Sequence, residues 1–234
     1  MNSMADWPVS TPPVEQDADE RLFFSEHQWH TVEAATARII PTDQEPGARE
    51  ARVVRFIDRY LSGRYIFAAA DGSGFLAVTG RAADAWRARL ADVRATYVAG
   101  LRDLDARARQ HAGRLFVELT EDDQDLVLAE VSGAPKPGPF SKATDQPRAT
   151  MEVGLLDDGL GFFDTLVLHT RQGFYGDPAY GGNRGRVGWR VIGFPGPHSL
   201  RDTMDGTYDV REYFAPEYDW PDLIPHLRGN GGQA

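Results

Sequence analysis

The 234-residue chain contains no cysteine. That excludes disulfides, thiolate zinc sites, cysteine-ligated iron–sulfur clusters and cysteine nucleophiles within this chain. It leaves the compartment open, because disulfide-free proteins occur on both sides of a membrane. No run of about 18 apolar residues is present, so no transmembrane helix is expected. Positive charge is scarce: Lys and Arg number 25 against 35 Asp and Glu, a net charge of −10. An acidic chain without a basic stripe gains little from a phosphate backbone, which argues against nucleic acid as a partner. Residues 1–20 lack a basic n-region, an apolar h-region and a twin-arginine pair, so nothing there reads as an export signal. That acidic, proline-containing stretch reads as a disordered leader.

Catalytic motifs are equally sparse. There is no G-x-S-x-G elbow, P-loop or H-E-x-x-H. Neither Gly181-Gly182-Asn183-Arg184-Gly185 nor Asp71-Gly72-Ser73-Gly74 has dinucleotide-binding spacing, and no βαβ pattern surrounds them. The chain is therefore expected to bind no nicotinamide or flavin of its own. Asp122-Asp123 and Asp157-Asp158 are adjacent pairs that do not converge on one substrate atom, unlike glycosidase carboxylates. His27 and His30 could share a metal but offer only two ligands, and half-buried or surface histidines at a helix start are the expectation. Glu121, Asp122 and Asp123 read as a first helical turn whose carboxylates complement the helix dipole, not as a metal site. His169 is expected to be structural. No catalytic residue and no metal site are assigned.

What is present is helical periodicity. Apolar residues make up 41% and charged residues 26%, the profile of a soluble globular protein. Ser25 followed by Gln28 fits a capping box. A first helix follows, carrying Trp29, Val32, Ala35 and Ile39 and ending at Pro41. A second is expected over about Ala48 to Leu61, with Val53, Phe56, Tyr60 and Val54, Ile57, Leu61 inward and Arg55, Asp58 and Arg59 toward water. A third runs from about Ala82 to Ala112. Its Trp86, Leu90, Val93, Tyr97, Leu101, Leu104 and Ala108 recur in three- and four-residue steps, and Gly100 within it implies close packing. Thr120 opens a fourth helix, and a shorter one starts near Gly159. Residues 64–80 read as a β-hairpin or an irregular loop, and 133–150 as a loop. The expected fold is mainly α. It is a single helical domain of five or six helices with long Gly/Pro/aromatic-rich loops, spanning 21–196. An aromatic extension over 197–234 would pack on it or on a partner.

The densest feature is Gly173 to Gly196. It contains Gly173-Phe174-Tyr175-Gly176-Asp177-Pro178-Ala179-Tyr180-Gly181-Gly182-Asn183-Arg184, then Val187-Gly188-Trp189, then Ile192-Gly193-Phe194-Pro195-Gly196. A loop so rich in glycine and aromatics orders only if its rings are buried, in its own core or in a partner. These runs resemble the signature of the gluconate 2-dehydrogenase subunit 3 family. Ala37-Arg38-Ile39-Ile40-Pro41-Thr42-Asp43, Pro46-Gly47-Ala48 and Phe56-Ile57-Asp58 resemble its N-terminal motif. The resemblance implies a non-catalytic small subunit. Its partner would be a large FAD-dependent flavoprotein of the glucose–methanol–choline (GMC) oxidoreductase type, which oxidises a sugar, polyol or sugar acid. A cytochrome c subunit often takes the electrons in such complexes. On this reading Phe174, Tyr175, Tyr180, Arg184 and Trp189 are the candidate partner-binding residues. Asp177, Asn183 and Arg184 are candidates for proximity to substrate in a shared active site. A stand-alone sugar-binding enzyme using Tyr175, Asp177, Tyr180, Asn183 and Arg184 is the remaining alternative. Family members often carry a twin-arginine signal, which this sequence lacks. Cytoplasmic residence is expected, or the periplasm if the partner carries the signal.

Overall fold

A computed structural model describes residues 7–15, 18, 20–69, 71–133, 157 and 159–196. Six α-helices are found among them: α1 (Glu26–Ile39), α2 (Val53–Ser62), α3 (Gly80–Ala112), α4 (Glu121–Ser132), α5 (Phe162–Tyr175) and α6 (Val187–Val191). The protein is mainly α, with one small antiparallel pair of strands, β1 (Val9–Thr11) and β2 (Phe75–Leu76). No helix among the described residues is long and apolar enough to cross a membrane. The aromatic extension over 197–234, and the loop over 133–150 apart from Gly133, lie outside the described residues.

Local chemistry sets the helix ends. The Gln28 N–H donates to Ser25 Oγ at 3.3 Å, and the Ser25 N–H donates to Gln28 Oε1 at 3.0 Å. This reciprocal box satisfies two otherwise orphaned donors of α1. Ile40 closes α1 immediately before Pro41. The α4 cap forms as expected, with Thr120 Oγ1 accepting from the Asp123 N–H at 3.3 Å. The acidic first turn of α4 has protein partners. Arg38 pairs with Glu121 and Asp125, and His111 lies 3.0 Å from Asp123.

Two expectations need correction. α2 starts at Val53 rather than Ala48, because residues 48–52 turn sharply: Val53 N–H donates to Ala48 O at 3.0 Å, and Arg52 is left-handed at φ 56°. More consequentially, Arg55, Asp58 and Arg59 do not face water; their exposures are 2%, 0% and 3%. The reason lies upstream. The N-terminal segment covers that face, and the Asp58 carboxylate accepts from the N–H groups of Leu22, Phe23 and Phe24 at 2.7, 3.0 and 2.8 Å. Arg55 donates to the Glu15 carbonyl and Arg59 to the Ala18 carbonyl. A charge can be buried when hydrogen bonds replace its water.

The N-terminal stretch carries a further surprise. Its composition predicts disorder, yet Val9–Thr11 pairs with β2, Ala77 N–H donates to the Pro8 carbonyl at 2.8 Å, and Trp7 packs edge-on against Phe67 at 5.4 Å. On its other side Phe75 bridges Ala68, and Leu76 N–H donates to Phe67 O at 2.8 Å. The hairpin reading of residues 64–80 is therefore realised as a short pairing, with a third segment supplied by the N-terminus.

The core sits where α2 meets α1, α3 and α5. Val32, Ala35, Val54, Ile57, Leu61, Tyr97, Leu101, Leu104, Phe116, Leu166 and Phe174 are all buried there. The predicted α3 stripe forms its longest wall from Leu90 to Ala108, but Trp86, its expected first member, is half-buried outside the core. Gly100 has its predicted close contact: a Cβ there would lie 2.0 Å from Phe162 Cγ, so only glycine lets the α5 ring seat against α3.

Candidate functional site

The segment from Gly173 to Gly196 is more regular than its composition suggests. α5 continues through Tyr175, tight 3₁₀ turns occupy Pro178–Tyr180 and Arg184–Arg186, and α6 follows. Asn183 holds these pieces together. Its backbone N–H donates to Gly173 O at 2.7 Å and its Nδ2 to Gly176 O at 2.9 Å, and its Oδ1 accepts from the Gly188 N–H at 2.8 Å. A Cβ at Gly188 would lie 2.0 Å from the Phe174 carbonyl oxygen, which explains the glycine there. Trp189 Nε1 donates to Tyr175 O at 2.7 Å.

The candidate residues therefore divide. Phe174 and Trp189 are buried in this chain's own packing, so they are not surface anchors. Asn183 is fully buried with both side-chain amide groups bonded to backbone, which leaves it nothing to offer a substrate. The cause is the close approach of α6 to the end of α5. Tyr175 is exposed at 41%, and Arg184 is exposed. Tyr180 is half-buried, edge-on to Phe75 at 5.6 Å. Asp177 is half-buried and caps its turn, accepting from the Ala179 N–H at 2.8 Å.

Asp177 and Tyr180 also line a cleft of about 350 Å³ between α2, α3, α5 and the 64–69 stretch. Its floor is a closed polar network. His169 Nε2 lies 3.0 Å from Asp157 Oδ2, and His169 Nδ1 lies 2.9 Å from the Tyr97 hydroxyl. The Tyr60 hydroxyl donates to Asp157 Oδ2 at 2.9 Å, and Arg89 donates to Asp157 Oδ1. Burial, and then the nearby Asp157 charge, push the Tyr60 and Tyr97 phenols above their ordinary value. Both remain protonated donors. The ionised Asp157 carboxylate can only accept, so the Nε2–H of His169 donates to it, while Nδ1 is hydrogen-bonded to the Tyr97 hydroxyl. Burial would raise the Asp157 pKa, but the hydrogen bonds from His169, Tyr60 and Arg89 prevail and hold the carboxyl well below the usual range. Both ring nitrogens of His169 are thus occupied, and Asp157 is neutralised by Arg89. The arrangement stabilises; it presents neither an available base nor a nucleophile.

Asp157, Tyr60, Arg89 and Tyr97 escaped the sequence reading as a site. Asp157 stands out in the sequence only as half of an adjacent carboxylate pair, and its partner Tyr60 is 97 residues away. His169 has the structural role expected of it, through this network. His27 and His30 do not converge: His27 meets Asp105 at 2.5 Å and His30 meets Glu33 at 3.7 Å. Among the described residues no group of three or more potential metal ligands occurs.

The sequence model of the family described as gluconate 2-dehydrogenase subunit 3 matches residues 26–196. The chain belongs to that family. The match runs from α1 to the last residue of the glycine–aromatic segment, so the subunit 3 region includes the core, the cleft and its polar floor. No curated protein and no solved structure matches this subunit 3 chain significantly.

Proposed function

We propose that this chain is the non-catalytic small subunit of a dehydrogenase complex. It binds and stabilises a large FAD-dependent flavoprotein of the GMC type that acts on a sugar, polyol or sugar acid. What carries the reading is the outer face of the family's own segment. While Phe174, Asn183 and Trp189 close inward, Tyr175, Val191 and Ile192 from the same stretch remain 41%, 37% and 56% exposed. Large apolar groups left outside on adjoining helices suit a partner surface. The polar floor of the cleft supports a binding role over catalysis, because its titratable groups satisfy one another. FAD is assigned to the partner; among the described residues no βαβ unit offers a place for a dinucleotide.

The test is co-expression with a GMC-type flavoprotein from the same genome. Soluble, flavin-loaded flavoprotein and its dehydrogenase activity should fall several-fold when this chain is omitted. They should also fall with the surface variant Ile192→Asp, which leaves the core intact. A flavoprotein equally soluble, flavinated and active without this chain would remove the proposal.

A further inference from the structure

The cleft has a chemistry that assembly through Tyr175, Val191 and Ile192 does not use. Its walls are aromatic: Phe56, Tyr60, Tyr65, Phe67, Trp86 and Tyr180. Its floor is closed, since Asp157 already accepts from His169, Tyr60 and Arg89. A polyhydroxylated ligand would find Asp157 already engaged and mostly aromatic surface around it, so few of its hydroxyls would regain the hydrogen bonds lost on burial. An anion would meet Asp177 and the paired Asp157. Asp177 keeps accepting capacity in the cleft wall: its Oδ1 accepts from the Ala179 N–H at 2.8 Å, and no hydrogen bond to its other oxygen is found among the described residues. Burial raises its carboxyl pKa, opposed by the Ala179 N–H and the charge of Arg186. A cationic donor would relieve that burial. The walls already attract such groups, for the Arg89 guanidinium lies 5.0 Å from the Trp86 ring centre and that of Arg59 lies 5.6 Å from the Tyr65 centre.

We infer that the cleft receives a basic side chain, an arginine or lysine on an apolar stretch of the partner flavoprotein, with its charge at Asp177 and its stem along the aromatic walls. This rests on the subunit reading above. A partner side chain suits the cleft better than a free amine for three reasons. Gly176, Asp177 and Tyr180 of the family segment form one wall. Exposed Tyr175 adjoins that wall in sequence. Asp177 is the sole carboxylate of the Gly173–Gly196 segment, beside Arg184, Arg186 and Arg190, so a partner's cation has one acceptor there.

The test has two arms. In the first, N-acetyl-arginine methylamide is titrated into the isolated chain and followed by isothermal titration calorimetry, with the neutral isostere N-acetyl-citrulline methylamide as control. Saturable binding of the arginine probe is expected, weaker by at least ~tenfold for the citrulline probe and for Asp177→Asn. Asparagine keeps the oxygen that caps Ala179, so the fold is retained, and an unchanged melting curve verifies it. In the second arm, the complex with the co-expressed flavoprotein should no longer bind the arginine probe, and Asp177→Asn should weaken assembly by a similar factor. Equal binding of both probes, or no effect of Asp177→Asn, overturns the inference. So does a complex that binds the probe as well as the isolated chain does, since the cleft would then take a free ligand. Assembly by wild type and Asp177→Asn alike removes this inference and spares the subunit reading. Failure of the wild type to assemble removes both.

Discussion

α3 turns Asp84, Arg87, Asp92, Arg102, Asp103 and Arg109 to water, whereas α2 buries Arg55, Asp58 and Arg59 to 3% exposure or less. Both helices are amphipathic by pattern, and both interleave charge with apolar residues. The difference lies in what surrounds them. α3 has 33 residues, with one face on the core and a long face in solvent. α2 has 10 residues and is walled by α1, α3 and α5, with the N-terminal segment lying over its charged face. Where the charged face of a helix is covered, charge is kept by hydrogen bonding to backbone, and the charged side chains become fastenings for the segment that covers them.

Removing the central fastening should give the largest effect. Asp58→Ala strips the carboxylate acceptor from the N–H groups of Leu22, Phe23 and Phe24. A loss of about 3–5 kcal/mol is expected from breaking a buried charged group's partnerships. Urea denaturation measures it, with Asp103→Ala on α3 as the control that should lie close to wild type. Similar losses for the two variants would mean that burial is not what separates the helices.

Asp157 extends the α2 rule to the cleft, because Tyr60 of α2 and Arg89 of α3 share its carboxylate. Asp157→Asn should cost about 2–3 kcal/mol at neutral pH, the scale of charge-assisted hydrogen bonds. The pH dependence has a definite sign. The folded carboxyl pKa is depressed, so its contribution is fully present above the ordinary unfolded value of ~3.9 and is lost as pH falls below it toward the folded value. The gap between wild type and Asp157→Asn should therefore narrow between pH 5 and pH 3 (~1–2 units around that value). A gap that widens toward acid would contradict the assignment of an ionised Asp157.

Gly100 is where α3 behaves like an enclosed helix. Ala would gain about 1 kcal/mol in helix propensity, yet its Cβ would sit inside the Phe162 ring, and overpacking costs about 1–3 kcal/mol. A net loss is expected in thermal melting. Phe162→Leu should shrink the additional cost of Gly100→Ala, which shows that the ring contact is responsible.

These residues also mark how far the sequence could be read. The Ser25–Gln28 cap, the Leu90–Ala108 stripe and the close contact at Gly100 are local or periodic, and each is visible in one stretch of chain. Asp58 is not, because its donors lie 34–36 residues upstream, in the stretch just before α1. The cleft floor is less legible still. Tyr60, Arg89, Tyr97, Asp157 and His169 come from separate parts of the chain, and none has a neighbour in sequence that hints at the others. The identity of the Gly173–Gly196 segment was readable from its residues. The direction its rings face was not, because that depends on how close α6 comes to Phe174.

The smallest effect belongs to the solvent face of α3 and completes the contrast. Arg87 pairs with Asp84 one turn earlier, with side chains 74% and 73% exposed. Such a pair gains little in high dielectric and loses side-chain entropy when held. Arg87→Ala also improves helix propensity slightly, so the two changes oppose each other. The urea midpoint should stay within error of wild type. Raising the salt to about 1 M, where screening acts within ~3 Å, should leave the difference between the two proteins unchanged. Asp58→Ala should keep most of its deficit in the same salt, because the carboxylate is buried and bonded to backbone N–H groups. If Arg87→Ala were as damaging as Asp58→Ala, or if the Asp58→Ala deficit vanished in salt, enclosure could not be the property that distinguishes α2 from α3.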